Sequence, residues 1–283
     1  MMKIGIKTGL NPNNRNLKQQ FQEMVNMGIL SCQLGVDPVA TVCENAKENA
    51  QYVLDCVRET GVTISSVWAG WSGPREWNFS LGPETLGLVP TAYRTMRYEE
   101  MLRASEFTEM IGVENMVTHV GFIPENMNDP LFAGTVGVLS NLCKIMKERG
   151  QYFLFETGQE TPVTLLRTIE AIGTGNLGVN LDTANLILYG KANPVDALDV
   201  FGKYVRDTHC KDGFYPTCGS ELGREVRMGD GKVDFYGVIK GLHELGYQGP
   251  LTIEREILGE EQIRDILHAK KMLEDIKLQL GIN

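Results

Sequence analysis

Residues 151–182, QYFLFETGQETPVTLLRTIEAIGTGNLGVNLD, spell one complete unit of an α/β fold. The apolar run YFLFE ends at Glu156, helical periodicity fills 162–172, Gly173 stands where a helix C-cap belongs, and the β-rich run LGVNLD ends at Asp182. A strand apolar on both faces fits a parallel sheet covered by helices. Gly173 to Gly178 also matches GxGxxG, but after a helix and before a strand. A dinucleotide fingerprint needs the reverse order, so that a helix N-terminus meets the pyrophosphate. The segment reads as an αβ connection.

Outward from this unit the same pattern recurs. Strands are predicted near 3–9, 29–35, 62–70, 113–120, 151–156, 177–182, 204–209 and 250–255, and helices at 17–27, 41–60, 93–111, 131–149, 162–172, 193–201, 234–245 and 260–279. Several helices end at a glycine: Gly28, Gly61, Gly112, Gly150, Gly173 and Gly246. Eight βα units predict a closed (β/α)8 TIM barrel, a single domain over 1–283. An open doubly wound sheet usually has fewer strands and a nucleotide motif in its first turn, which here is GLNPNN.

The bulk numbers narrow the function classes. The 283 residues are 42% apolar, enough for one continuous core, and no linker or low-complexity tract divides them. A net charge of −9 disfavours nucleic acid, whose phosphates need a basic surface. The N-terminus MMKIGIKTGL runs straight into a strand pattern without a signal-peptide apolar stretch, and no apolar run approaches membrane-spanning length. Six cysteines lie scattered without CxxC spacing. A cytoplasmic protein with reduced thiols and no membrane partner is expected, and a homo-oligomer is left open.

Four strand ends carry metal-capable side chains: Glu156, Asp182, His209 in YVRDTH and Glu254 in PLTIE. The gaps are 26, 27 and 45 residues, the last lengthened by a glycine-rich insertion, Lys211 to Lys232. Parallel strands gather their C-terminal ends at one rim. Two Glu, one Asp and one His make an oxygen-rich pocket suited to Mn²⁺ above all, with Mg²⁺, Co²⁺ or Zn²⁺ as alternatives. Each residue also has a structural reading. Glu156 can be a capping or surface residue, Asp182 can be the N-cap of a helix starting at Thr183, and Glu256 shares a strand face with Glu254. His243 and His268 lie in helices; His119, in VTHVGF, can line the same rim. Cys210 should face away from the pocket.

Such a site can hold two vicinal oxygens of a hydroxy-ketone, polarise its carbonyl and favour an enediolate, while two glutamates trade a proton. Residues 68–79 contain all three tryptophans. They predict a loop over the pocket at 72–92, with Trp68 or Trp71 stacked on a sugar ring.

From FLFETGQET through LDTAN, HCKDG and GDGKVDF to IERE, nearly the whole chain resembles the xylose-isomerase-like TIM-barrel superfamily of sugar isomerases and epimerases. Its relatives include ketose 3-epimerases, hydroxypyruvate isomerases and inosose dehydratases. The resemblance implies that Glu156, Asp182, His209 and Glu254 are metal ligands and that Glu156 and Glu254 are the catalytic acid–base pair. It puts Asn185 where ketose epimerases carry a histidine, and offers Arg224 or Arg227 as the substrate-binding arginine. Lys211-Asp212 resembles members known only as sugar phosphate isomerase/epimerase, and Gly229-Asp230-Gly231 resembles the turn entering helix seven. His119, Trp68, Trp71, Asn185, Lys211 and Arg224 are the expected substrate contacts. The function expected is a divalent-metal-dependent isomerase or epimerase of a small carbohydrate. The alternatives are a dehydratase of the inosose type, a sugar-binding barrel without catalysis, and an endonuclease-IV-like nuclease. The last is opposed by only four histidines and the acidic charge.

Overall fold

The computed structural model describes residues 2–282. Eight parallel strands close a barrel: β1 (Ile4–Gly9), β2 (Ser31–Val36), β3 (Thr63–Ala69), β4 (Asn115–Thr118), β5 (Tyr152–Glu156), β6 (Leu177–Asp182), β7 (Val205–Cys210) and β10 (Leu251–Ile253). Neighbours in sequence are neighbours in the ring, and β10 closes it against β1. The antiparallel pair β8 (Asp212–Phe214) and β9 (Arg224–Val226) stands apart from the barrel. Among the described residues no helix is long and apolar enough to cross a membrane.

Alternation along each strand sorts the side chains. One set packs outward against the helices in a continuous apolar layer that includes Ile6, Cys32, Leu34, Val67, Phe153, Phe155, Val179, Leu181, Cys210 and Ile253. The other set points into the barrel and is largely polar. Asp207 accepts from Ser65 and Ser66 at 2.8 and 2.5 Å and from Thr252 at 3.0 Å, while Gln33 donates to Asn180 at 3.2 Å. Glu156, Asp182, His209 and Glu254 belong to this inward set, one step nearer the C-terminal rim. Asp182 pairs directly with His209, and Glu254 follows two residues after Thr252, the partner of His209 on β10.

All six glycines named as helix stops have positive φ, between 62° and 76°, where a side chain is strained. The helix expected over 41–60 is two helices, Val39–Cys43 and Ala46–Thr60, because Asn45 leaves helical geometry; Asn49 Nδ2 then donates to the freed Val42 carbonyl at 2.8 Å. Gly173 caps helix Pro162–Ile172, so the GxGxxG match is the αβ connection its order implied.

Candidate metal centre and active site

Each of the four acidic and histidine side chains offers one ligand atom, and these atoms lie within 4.8 Å of one another. All four residues are buried. His209 Nε2 meets Gln33 Oε1 at 2.6 Å. A side-chain amide oxygen only accepts, so Nε2 carries the proton and Nδ1 is the nitrogen presented to the cluster. From Nδ1 the distances are 3.0 Å to Glu156 Oε1, 3.2 Å to Glu254 Oε2 and 3.5 Å to Asp182 Oδ2.

Asp182 does two jobs. Its Oδ1 accepts from the backbone N–H of Asn185 at 2.8 Å and so caps the helix Thr183–Leu188. Its Oδ2, fully buried, points into the cluster with no hydrogen-bond partner. A buried carboxylate oxygen with no hydrogen bond, beside two other carboxylates and with the Lys211 ammonium only as near as 3.6 Å, is costly unless a closer cation joins it. That atom and the hard-oxygen donor set both fit a divalent ion held by Glu156, Asp182, His209 Nδ1 and Glu254.

The electrostatics point the same way. Burial raises the Glu156 carboxyl, but the imidazoles of His119 and His209 outweigh it and hold Glu156 well below the usual carboxylate range. Glu254 is likewise held well below that range, against burial, by His209, Lys211 and Lys7. For Asp182 burial wins over Lys211 and His209, and its carboxyl is pushed up. Burial depresses His209, yet Glu254 and Glu156 lift it well above an ordinary imidazole. The cluster is short of positive charge, and the histidine proton partly fills the deficit.

Above the cluster opens a cavity of about 660 Å³. Glu156 and Lys211 are in its wall, with Asp182, His209 and Glu254 adjoining behind them. Trp68 lines the cavity and its Nε1 donates to Glu156 Oε2. His119 lines it too: Nδ1 sits 3.2 Å from Gln159 Oε1 and Nε2 faces Glu156 at 3.3 Å. Asn185 is a third wall residue. Lys211 Nζ lies 3.2 Å from Glu254, 3.6 Å from Asp182 and 2.9 Å from Glu256. Glu256 therefore stands at the cavity rim while Glu254 joins the cluster.

Two of the expected substrate contacts, Trp71 and Arg224, lie outside the cavity wall. Trp71 does not reach the cavity; it is 2% exposed, packed between Trp68 and Trp77 with the Arg97 guanidinium 5.3 Å from its ring. Trp77, 39% exposed, is the tryptophan of that loop that forms the wall. Arg224 is exposed on β9, its guanidinium 5.5 Å from the Phe214 ring and outside the cavity wall. Arg227 is exposed as well and pairs with Asp230 at 3.0 Å. The arginine in the wall is Arg75, which grips Asp37 with two bonds of 2.6 Å. Of the 72–92 loop, Arg75 and Trp77 reach the cavity, and Phe79 N donates to Ser220 O at 3.1 Å, joining the insertion after β7.

Lys7 and Gln33 escaped notice in the sequence. Both sit at inward positions of short alternating strands, and a polar residue at such a position was the available signal. Lys7 donates to Glu254 and lies 4.4 Å from the Trp68 ring centroid.

Comparison with known proteins agrees with the barrel fold. Residues 21–276 match the xylose isomerase-like TIM barrel family. The chain belongs to that family. Over 99% of both chains it superposes on a xylose isomerase domain protein from Planctomyces limnophilus, with 31% identity and a TM-score of 0.89. A D-tagatose 3-epimerase-like protein, 20% identical, shares the fold with a TM-score of 0.74 over 99% of this chain and 98% of its own. A segment of 96 residues is 33% identical to a provisionally named L-ribulose-5-phosphate 3-epimerase of Escherichia coli, spanning 33% of each protein. The chain spans just over half, 56%, of an uncharacterized protein of Methanocaldococcus jannaschii that it matches at 26% identity over 57% of its own length.

Proposed function

We propose that this family member is a divalent-metal-dependent sugar isomerase or epimerase, acting in the cytoplasm on a small ketose or related hydroxy-ketone. Mn²⁺ is the ion the donor set suits best, held by Glu156, Asp182, His209 and Glu254. The observation that carries the reading is Asp182 Oδ2, buried and without a hydrogen bond among three other ligand-capable atoms. The names of the epimerase-like relatives are consistent with it.

A divalent ion bound there would supply Lewis acidity toward a carbonyl and its neighbouring hydroxyl. The chain supplies the proton handling. Glu156 and Glu254 present carboxylate oxygens at 3.0 and 3.2 Å from the same imidazole nitrogen, and both are kept ionised, as an acceptor must be. Trp68 donates to Glu156 Oε2, while Oε1 faces the imidazoles of His209 and His119, so both oxygens of the candidate base are held in place. Lys7 and Lys211 hold the two oxygens of Glu254. A proton removed by one glutamate and returned by the other to the opposite face inverts a carbon; returned to the adjacent carbon, with a second proton passing from the hydroxyl to the former carbonyl oxygen, it moves the carbonyl. Buried walls of Trp68 and His119 limit the water that would compete for that proton.

The test has two readouts on the purified protein: metal content and affinity for Mn²⁺, and incorporation of solvent deuterium into a panel of ketoses, inososes and 3-keto-sugars followed by NMR. Stoichiometric metal and exchange at a carbon beside the carbonyl are expected. Loss of water from the product would instead mark dehydratase chemistry, and binding without exchange a non-catalytic barrel.

A further inference from the structure

Several TIM barrels hold phosphate with backbone N–H groups in the loops after the last strands. In this chain that turn, Gly229-Asp230-Gly231, is already closed around an anion of its own. The Asp212 carboxylate accepts from Gly229 N at 2.9 Å, Gly231 N at 2.9 Å, Val233 N at 3.1 Å and Gly213 N at 2.8 Å. A Cβ at Gly231 would sit 2.1 Å from the same carboxylate, so the turn is built to wrap it. A nest of this kind cannot also take a phosphate.

The cavity offers no replacement. Lys7 is matched by Glu254, Lys211 by Glu254 and Glu256, and Arg75 by Asp37. His119 faces Glu156. Around the cavity and cluster, five carboxylates (Asp37, Glu156, Asp182, Glu254, Glu256) face three permanent cations (Lys7, Arg75, Lys211) and the imidazoles of His119 and His209, so the positive charge present is already taken up by carboxylates. The helix N-terminus at the cavity base, at Thr183, is occupied by Asp182. A phosphate dianion brought here would lose its hydration without a free counter-charge.

What the mouth does offer is apolar surface. Trp77, Leu188, Tyr189 and Leu222 line it beyond the ionic base, and Phe79 and Phe122 pack edge-on to Tyr189 behind them. At about 660 Å³ the cavity is of the size that takes drug-sized ligands, roughly 300–1,000 Å³. We propose that the substrate is an uncharged carbohydrate whose reacting sugar carries a second ring, a glycoside rather than a sugar phosphate, with the second ring against Trp77. This rests on the isomerase or epimerase reading above.

Three ketoses alike except at O6 test it: D-fructose, D-fructose 6-phosphate and isomaltulose, which carries a glucosyl group there. Binding to the Mn²⁺-loaded wild-type protein is measured by calorimetry, with inorganic phosphate as a competitor. Isomaltulose should bind at least tenfold more tightly than fructose 6-phosphate, inorganic phosphate should not compete, and Trp77→Ala should narrow the gap. Fructose 6-phosphate bound as tightly as isomaltulose, or displaced by inorganic phosphate, would overturn the inference and leave the ketose reading standing. If none of the three binds, the carbohydrate reading itself falls.

Discussion

Gln33 decides which nitrogen of His209 meets the carboxylates, although it is not itself a candidate ligand. Its amide oxygen fixes the Nε2 proton and its amide nitrogen is anchored on Asn180, so the ring is oriented from behind. Gln33→Leu keeps size and burial but frees the imidazole to turn or change tautomer. Metal affinity should fall about 10–100-fold, as for other residues that orient a ligand histidine. A titration with Mn²⁺ checks it, and an unchanged Kd would remove Gln33 from the site. The glutamates test chemistry rather than binding. Glu156→Gln and Glu254→Gln each keep an oxygen donor and lose the proton acceptor, so metal content should hold while substrate C–H exchange drops about 10²–10⁴-fold. If both variants exchange at the wild-type rate, the base lies elsewhere, with His119 and Lys211 the nearest groups.

At the scale of elements, the segment after β7 shows what a side chain can do for a loop. Four backbone N–H groups converge on Asp212, which is 1% exposed. Asp212→Ala leaves those donors without a partner and should cost about 3 kcal/mol or more, since bonds to charged groups contribute about 1.5–3 kcal/mol each. Chemical denaturation measures it; a loss below about 1 kcal/mol would mean that the turn holds itself. None of this was legible beforehand, because Lys211 to Lys232 has neither helical nor strand period and its order comes from one long-range acceptor. The barrel strands were legible for the opposite reason. Each is a short β-rich run bounded by glycine, and the unit 151–182 repeats around the ring. The four cluster residues were readable because strand polarity alone brings strand ends together. Substrate contacts were less so: whether Trp71 or Trp77 faces the cavity depends on how an irregular loop folds back, and Arg224 is carried away on a hairpin that periodicity does not reveal.

For the molecule as a whole, Glu160 is a site where buried charge works against stability. It is 4% exposed and its carboxyl is pushed up to about 7, chiefly by burial, with His119 and Lys191 pulling the other way and Glu156 adding to the rise. A carboxyl with a higher pKa folded than unfolded binds more protons in the native state. Its contribution is therefore most favourable below its ordinary value of 4.5 and declines as pH climbs to about 7, after which it is constant. Across that window the loss amounts to about 3 kcal/mol. Glu160→Gln removes the titration and keeps the shape. The variant should match the wild type near pH 4.5 and become progressively more stable than it up to pH 8. Buried groups that do not interact with Glu160 are common to both proteins and cancel in the difference; His119, lifted in part by Glu160, adds a smaller contribution of its own. Denaturation curves of the pair at pH 5, 6, 7 and 8 supply that difference, and one independent of pH would show that the Glu160 carboxyl is ionised throughout.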